Sequence, residues 1–127
     1  MRAPAKFSGA ARVRSFVYAG RGVRIMLLSQ HNAWIHAALT MCVVTAGIVA
    51  GVTRVEWCLL VLAIVAVWTA ESLNTAFEFL CDVASPEFHP LVEKAKDVAA
   101  GAVLTSAVGA AVIGPLIFIP YLIAAFE

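Results

Sequence analysis

Apolar residues along this chain fall into three long runs, and the polar residues collect at their ends. Ala37–Thr53 is a charge-free run of 17 residues, Trp57–Ala70 continues through a polar interruption to about Leu80, and Val98–Phe126 is 29 residues containing Pro115 and Pro120. A helix needs about 20 predominantly apolar residues to cross the hydrocarbon core, so the pattern predicts three transmembrane helices, near 34–53, 56–81 and 97–120. The first run is short and is expected to borrow residues from His36 or Val55 at its ends. The third is too long for one straight crossing, and Pro115 or Pro120, each lacking a backbone N–H, is expected to kink or end it near the interface.

Upstream, Phe7–Leu28 places Val13, Phe16, Val17, Gly20, Val23, Leu27 and Leu28 on one side, with Arg14 and Arg21 away from it. This predicts an amphipathic helix on the membrane surface over about 7–30. Arg24 falls near the apolar face, where it can snorkel to lipid phosphate or reach toward a site.

The second apolar run carries the chemistry. Glu71, Asn74, Thr75, Glu78 and Asp82 fall at roughly 0°, 300°, 40°, 340° and 20° around a helix, one narrow polar stripe, while Leu73, Phe77 and Leu80 face elsewhere. An ionised side chain in hydrocarbon costs several kcal/mol, about 2.5–3.5 even on lenient insertion scales, and normally faces a protein interior or a wet cavity. A stripe of this kind can also only glue helices together, but such glue is usually uncharged, and three aligned acids repel unless a cation or proton lies among them. After it, Ser85 can cap a new helix beginning at Pro86, with Glu87 at its positive end. Glu93, Lys94, Lys96 and Asp97 then open a charged helix start that runs into Ala99-Ala100-Gly101-Ala102, whose small side chains predict close helix packing.

With 127 residues, 62% hydrophobic and 13% charged, the chain reads as a single all-α integral membrane domain, 1–127. Six of its nine basic residues (Arg2, Lys6, Arg12, Arg14, Arg21 and Arg24) precede the first span, and no acid occurs before Glu56. The N-terminus is therefore expected in the cytoplasm, with the stripe's polar end and the Asp82–Asp97 link on the same side. No removable signal peptide is expected. Cys42, Cys58 and Cys81 lack metal-ligand spacing and read as small apolar fillers. Acids beside the Lys96–Asp97 pair at that interface suit an anionic cofactor bridged by a divalent cation: carboxylates hold hard Mg2+, the ion neutralises phosphates, and a lysine takes the remaining charge. No G-x-x-x-x-G-K-[ST] loop or soluble-kinase signature is present, so phosphoryl transfer here would use another design.

Two blocks together, Glu71-x-x-Asn74-Thr75-Ala76-x-Glu78-x-x-x-Asp82 and Ser85-Pro86-Glu87-Phe88-His89-Pro90 with Lys94-Ala95-Lys96-Asp97-x-Ala99-Ala100-Gly101-Ala102-Val103, closely resemble the bacterial integral-membrane diacylglycerol kinase and undecaprenol kinase family. The resemblance runs from about Arg14 to Leu104, takes in Tyr18-x-x-Arg21-Gly22-x-Arg24 and Asn32-x-x-Ile35-His36, and looks closer to the undecaprenol kinase branch. It implies a multi-pass enzyme of the bacterial cytoplasmic (inner) membrane, a homotrimer with sites between subunits, whose partners are ATP with Mg2+ and a membrane lipid alcohol; no nucleic acid is expected. By resemblance, Glu71 is the general base, Asn74 orients that region and Glu78 binds the metal. Tyr18, Glu87, His89, Lys96 and Asp97 match positions near the nucleotide, and Asp82 completes the polar face. The family usually places a second acidic metal ligand where this chain has Gln30, which offers an oxygen but no charge. Trp34, His31 and His36 read as interfacial residues. Undecaprenol and diacylglycerol both stay open as acceptors, and the alternatives are a weakened or inactive family member with a structural or regulatory role, or a proton or cation pathway.

Overall fold

The computed structural model describes residues 8–127, so Arg2, Lys6 and the expected start of the surface helix at 7 lie outside the described residues. Four helices follow one another: α1 (Gly9–Ser29), α2 (His31–Ala50), α3 (Arg54–Ala84) and α4 (Pro90–Ala125). The described residues are thus all-helical, and α2, α3 and α4 are long and apolar enough to cross a membrane. Leu39, Val49, Leu62, Leu104 and Leu116 on these three helices are exposed, as side chains meeting lipid can be.

Each junction has a local cause. One extended residue, Gln30 at φ −112° and ψ 120°, separates α1 from α2 and donates its backbone N–H to Met26 O at 3.0 Å. Helix α2 ends because Gly51 takes the left-handed conformation, φ 66°, that a Cβ disfavours. The first apolar helix therefore borrows its extra length from the His31 side and stops short of Val55. Thr53 starts α3 with a capping box: its hydroxyl accepts from Glu56 N at 3.4 Å, and Glu56 Oε2 accepts from Thr53 N at 2.7 Å.

The expected helix restart at Ser85 and Pro86 is corrected. Helix α4 begins at Pro90, and its cap is His89, whose Nδ1 accepts from Leu91 N at 3.2 Å. Ser85 instead turns its hydroxyl to Glu87 O at 2.9 Å within the link. Neither Pro115 nor Pro120 ends α4, which runs through both to Ala125. The missing proline N–H groups deprive the Ala111 and Leu116 carbonyls of their usual donor four residues on.

Packing is most extensive between α3 and α4. At one end Val52, Leu60 and Ile117 are buried together, with Trp57, Ile113 and Phe118 against them. The Trp57 ring lies so close to Gly47 that a Cβ there would meet its Cη2 at 2.8 Å. No comparable contact occurs at Gly101, where a Cβ would meet nothing within 4 Å. On α1, Val13, Phe16, Val17, Val23 and Leu28 are exposed, and the buried side chain is Met26, whose sulfur accepts the Ser72 hydroxyl of α3 at 3.1 Å. Of the cysteines only Cys81 is a buried filler; Cys42 and Cys58 are exposed.

Candidate active site

The polar stripe of α3 changes character along its length. Glu71, Asn74 and Thr75 are buried, Glu78 is half-buried and Asp82 is exposed, so the face runs from the bundle interior to its surface. Glu71 and Asp82 are eleven residues apart, about 16 Å at helical rise. Three groupings occupy that distance.

At the outer end Lys96 Nζ of α4 meets Asp82 Oδ1 at 2.6 Å. This pair shares a cavity of about 370 Å³ with Glu87, Phe88, His89, Glu93 and Asp97. The lysine's partner is thus Asp82 and not its sequence neighbour Asp97. A cationic head among carboxylates, beside an open cavity, has the charge pattern to receive a phosphate chain that brings its own cation.

One step inward, Gln30 Nε2 donates to Glu78 Oε2 at 2.7 Å and Asn74 Nδ2 to Glu78 Oε1 at 3.2 Å. The elbow between α1 and α2 makes the first bond possible, because Gln30 caps neither helix with its side chain and is left free to reach α3. Both amides turn nitrogen toward the carboxylate, and the Asn74 Oδ1 stays buried without a hydrogen-bond partner. The oxygens available here, from Glu78, Gln30 and Asn74, are all hard donors and fit Mg2+. Only one of the three residues carries a negative charge, and among the described residues no three His, Cys, Asp or Glu side chains are placed to hold a metal ion by themselves, so phosphate oxygens would have to complete a metal shell.

Innermost is Glu71, 1% exposed, with neither carboxylate oxygen hydrogen-bonded. His36 of α2 faces it, with Nε2 at 3.9 Å from Oε2. The two border a cavity of about 280 Å³ lined also by Asn32 and Asn74 and by the apolar Ile35, Ala100, Val103, Leu104 and Ala107. Burying an acceptor without a partner carries a desolvation cost of about 1–3 kcal/mol or more, so a fold that tolerates it at such a cavity leaves room for a ligand's donor. A cavity lined by both polar and apolar side chains has the chemistry to seat a hydroxyl carried on a hydrocarbon chain.

Tyr18 and Arg24 are not brought to any of these groupings. Tyr18 is 61% exposed, with the Arg21 guanidinium 5.8 Å from its ring centroid, and Arg24 is exposed too. Among the described residues α1 does not pack against α4, and neither Tyr18 nor Arg24 lines the Lys96 cavity. Of the residues read as interfacial, Trp34 is exposed, as is His31, but His36 is half-buried against Glu71. His36 is the site residue that sequence reasoning passed over. Its only signal was the Asn32-x-x-Ile35-His36 pattern at the entry to the first span.

Residues 17–118 match the family model described as prokaryotic diacylglycerol kinase. An undecaprenol kinase of Bacillus subtilis is 40% identical over 109 residues, covering 86% of this chain and 89% of that protein. A diacylglycerol kinase of Synechocystis is 36% identical over 110 residues, covering 86% of this chain but 63% of that longer protein.

Proposed function

The chain belongs to the prokaryotic diacylglycerol kinase family and is a lipid kinase, and from that premise we propose that it transfers the γ-phosphoryl group of ATP to the hydroxyl of a membrane lipid alcohol, undecaprenol in preference to diacylglycerol. The observation that carries this reading is the unpartnered, buried Glu71 carboxylate bordering a cavity lined in part by apolar side chains. The preference for undecaprenol is supported by the higher identity to the Bacillus subtilis undecaprenol kinase and its nearly full-length coverage.

Each grouping on α3 takes one task. Lys96, tied to Asp82, presents its ammonium to the nucleotide phosphates in the cavity shared with Glu87, His89 and Asp97. Glu78, with Gln30 and Asn74 beside it, holds Mg2+, which when bound neutralises the phosphate charge and orients the transferring group. Glu71 lies two helical turns deeper than Glu78, about 10 Å, and accepts the proton of the lipid hydroxyl as its oxygen bonds to the γ-phosphorus and the bond to ADP breaks. No covalent enzyme intermediate forms, and catalysis consists of positioning, charge stabilisation and base assistance.

The active unit is a homotrimer in the bacterial cytoplasmic membrane with its N-terminus and site on the cytoplasmic side. A neighbour supplies what one protomer leaves apart: Tyr18 and Arg24 are exposed and do not line the Lys96 cavity of their own chain, and the stripe is only partly covered by α1, α2 and α4. The test is a radiolabel transfer from ATP with purified protein in bilayer discs, offered undecaprenol and diacylglycerol separately with and without Mg2+. Label is expected in undecaprenyl phosphate and only with Mg2+. Label in phosphatidic acid alone would overturn the substrate, and transfer undiminished by chelator would overturn the metal.

A further inference from the structure

The Glu71 grouping has a second polar member for which the reaction outlined above has no task. His36 Nε2 stands 3.9 Å from Glu71 Oε2, beyond hydrogen-bond range, with side-chain exposures of 13% and 1%. A finished buried ion pair closes to about 2.7–2.9 Å. This one stays open while both Glu71 oxygens lack partners. The gap matches a single bridging oxygen: one placed at ordinary distances from both atoms subtends an angle of about 90°, within what a hydroxyl accommodates.

His36 is also braced. Its ring meets the Trp68 ring edge-on, centroids 6.5 Å apart at 68° between planes. Trp68 is fixed in turn by donating Nε1–H to Thr40 Oγ1 at 3.1 Å. His36 and Thr40 are one turn apart on α2 and both contact Trp68 of α3, which holds the imidazole where it stands. Beyond the gap, the cavity wall of Ile35, Val103 and Leu104 offers hydrocarbon contact to whatever carries the bridging oxygen.

We propose that His36 is the second contact to the acceptor hydroxyl: its Nε2–H donates to the lipid oxygen while that oxygen donates its own proton to Glu71. The hydroxyl is then held by two groups on two helices, with a remaining lone pair directed out of the Glu71–His36 pair toward the incoming phosphorus. His36 keeps its proton throughout, and the proton released on phosphoryl transfer goes to Glu71. This deepens the lipid kinase reading and rests on Glu71 acting as its base.

The experiment compares His36→Ala and His36→Gln in bilayer discs, with undecaprenol and Mg–ATP varied independently and Glu71→Gln measured beside them. His36→Ala is expected to lower kcat/KM for undecaprenol by about 10- to 100-fold and leave the KM for Mg–ATP within about twofold. His36→Gln, which restores an N–H donor, is expected to recover at least about fivefold of the loss. If alanine does not fold, His36→Leu, which fills the space without a donor, takes its place against glutamine. A His36→Ala enzyme within about threefold of the parent for undecaprenol overturns the inference. Equal losses in the donor and non-donor variants, accompanied by a shifted KM for Mg–ATP, also overturn it and leave His36 a packing residue. With Glu71→Gln inactive in either case, the base reading survives; with Glu71→Gln active, both fall together.

Discussion

Helix α3 carries two carboxylates near its buried core that have opposite fates. Glu56, in the first turn, accepts from the Thr53 backbone at 2.7 Å, the Thr53 hydroxyl at 2.8 Å and the Tyr121 hydroxyl of α4 at 2.8 Å. Glu71, about 22 Å further along, is far more deeply buried and accepts from nothing. Around Glu56 the bundle closes over Val52, Leu60 and Ile117; around Glu71 it opens into a cavity. One acid is finished structure, tying the start of α3 to the end of α4. The other is left without a hydrogen-bond partner by the fold, and the proposed function gives it the proton of the acceptor hydroxyl. Under the proposed function the two ends divide stability from chemistry, and substitutions can test that division separately.

The largest expected effect is at the open end. Glu71→Gln removes a proton acceptor but keeps the shape, and lipid phosphorylation should fall by about 10²–10⁴-fold while Mg–ATP binding persists. Steady-state transfer and nucleotide binding on the same preparation check both halves. Glu78→Ala and Lys96→Ala should each weaken Mg–ATP binding, but by different means. The first should be partly rescued by raising Mg2+ and the second should not, as titrations of activity against Mg2+ at fixed ATP will show.

Gln30→Glu sharpens the contrast within the site itself. It replaces the 2.7 Å donor to Glu78 with a second carboxylate, which repels Glu78 until a cation lies between them. The Mg2+ concentration for half-maximal activity should drop several-fold, and the unfolding midpoint should fall without Mg2+ and recover with it. Unchanged metal dependence would remove residue 30 from the metal.

At the closed end the effects should be confined to stability. Gly47→Ala would force a Cβ to within 2.8 Å of the Trp57 ring, and relieving that overlap should cost about 1–3 kcal/mol, read as a lower unfolding midpoint. Tyr121→Phe removes one of three donors to Glu56 and should lower the midpoint slightly with turnover unchanged.

What the sequence disclosed follows the range of the interactions involved. The three long apolar helices were legible from run length, and the face of α3 from its angular spacing, because both are periodic and local. Thr53-Arg54-Val55-Glu56 is equally local, a capping-box pattern that sets the start of α3. The Ser85–His89 link was misassigned because two consecutive Pro signals, Pro86 and Pro90, each satisfy helix-start chemistry, and only the His89 side chain decides between them. Contacts between helices had no local signature. Lys96 pairs with Asp82 across the link, Gln30 reaches Glu78 from the α1–α2 elbow, and His36 faces Glu71 from α2. Periodicity assigns a residue to a face but does not reveal which face of which helix lies opposite.

The most direct test sets the two carboxylates side by side. Glu56→Gln and Glu71→Gln, purified in bilayer discs, are assayed for transfer of the ATP γ-phosphoryl group to undecaprenol, with an unfolding midpoint recorded for each. Glu56→Gln should keep its turnover and lose thermal stability; Glu71→Gln should lose turnover by at least about 100-fold with its midpoint unchanged or raised. Turnover of Glu71→Gln within about threefold of the parent would contradict the account, because the carboxylate that the fold leaves open would then have no part in the reaction.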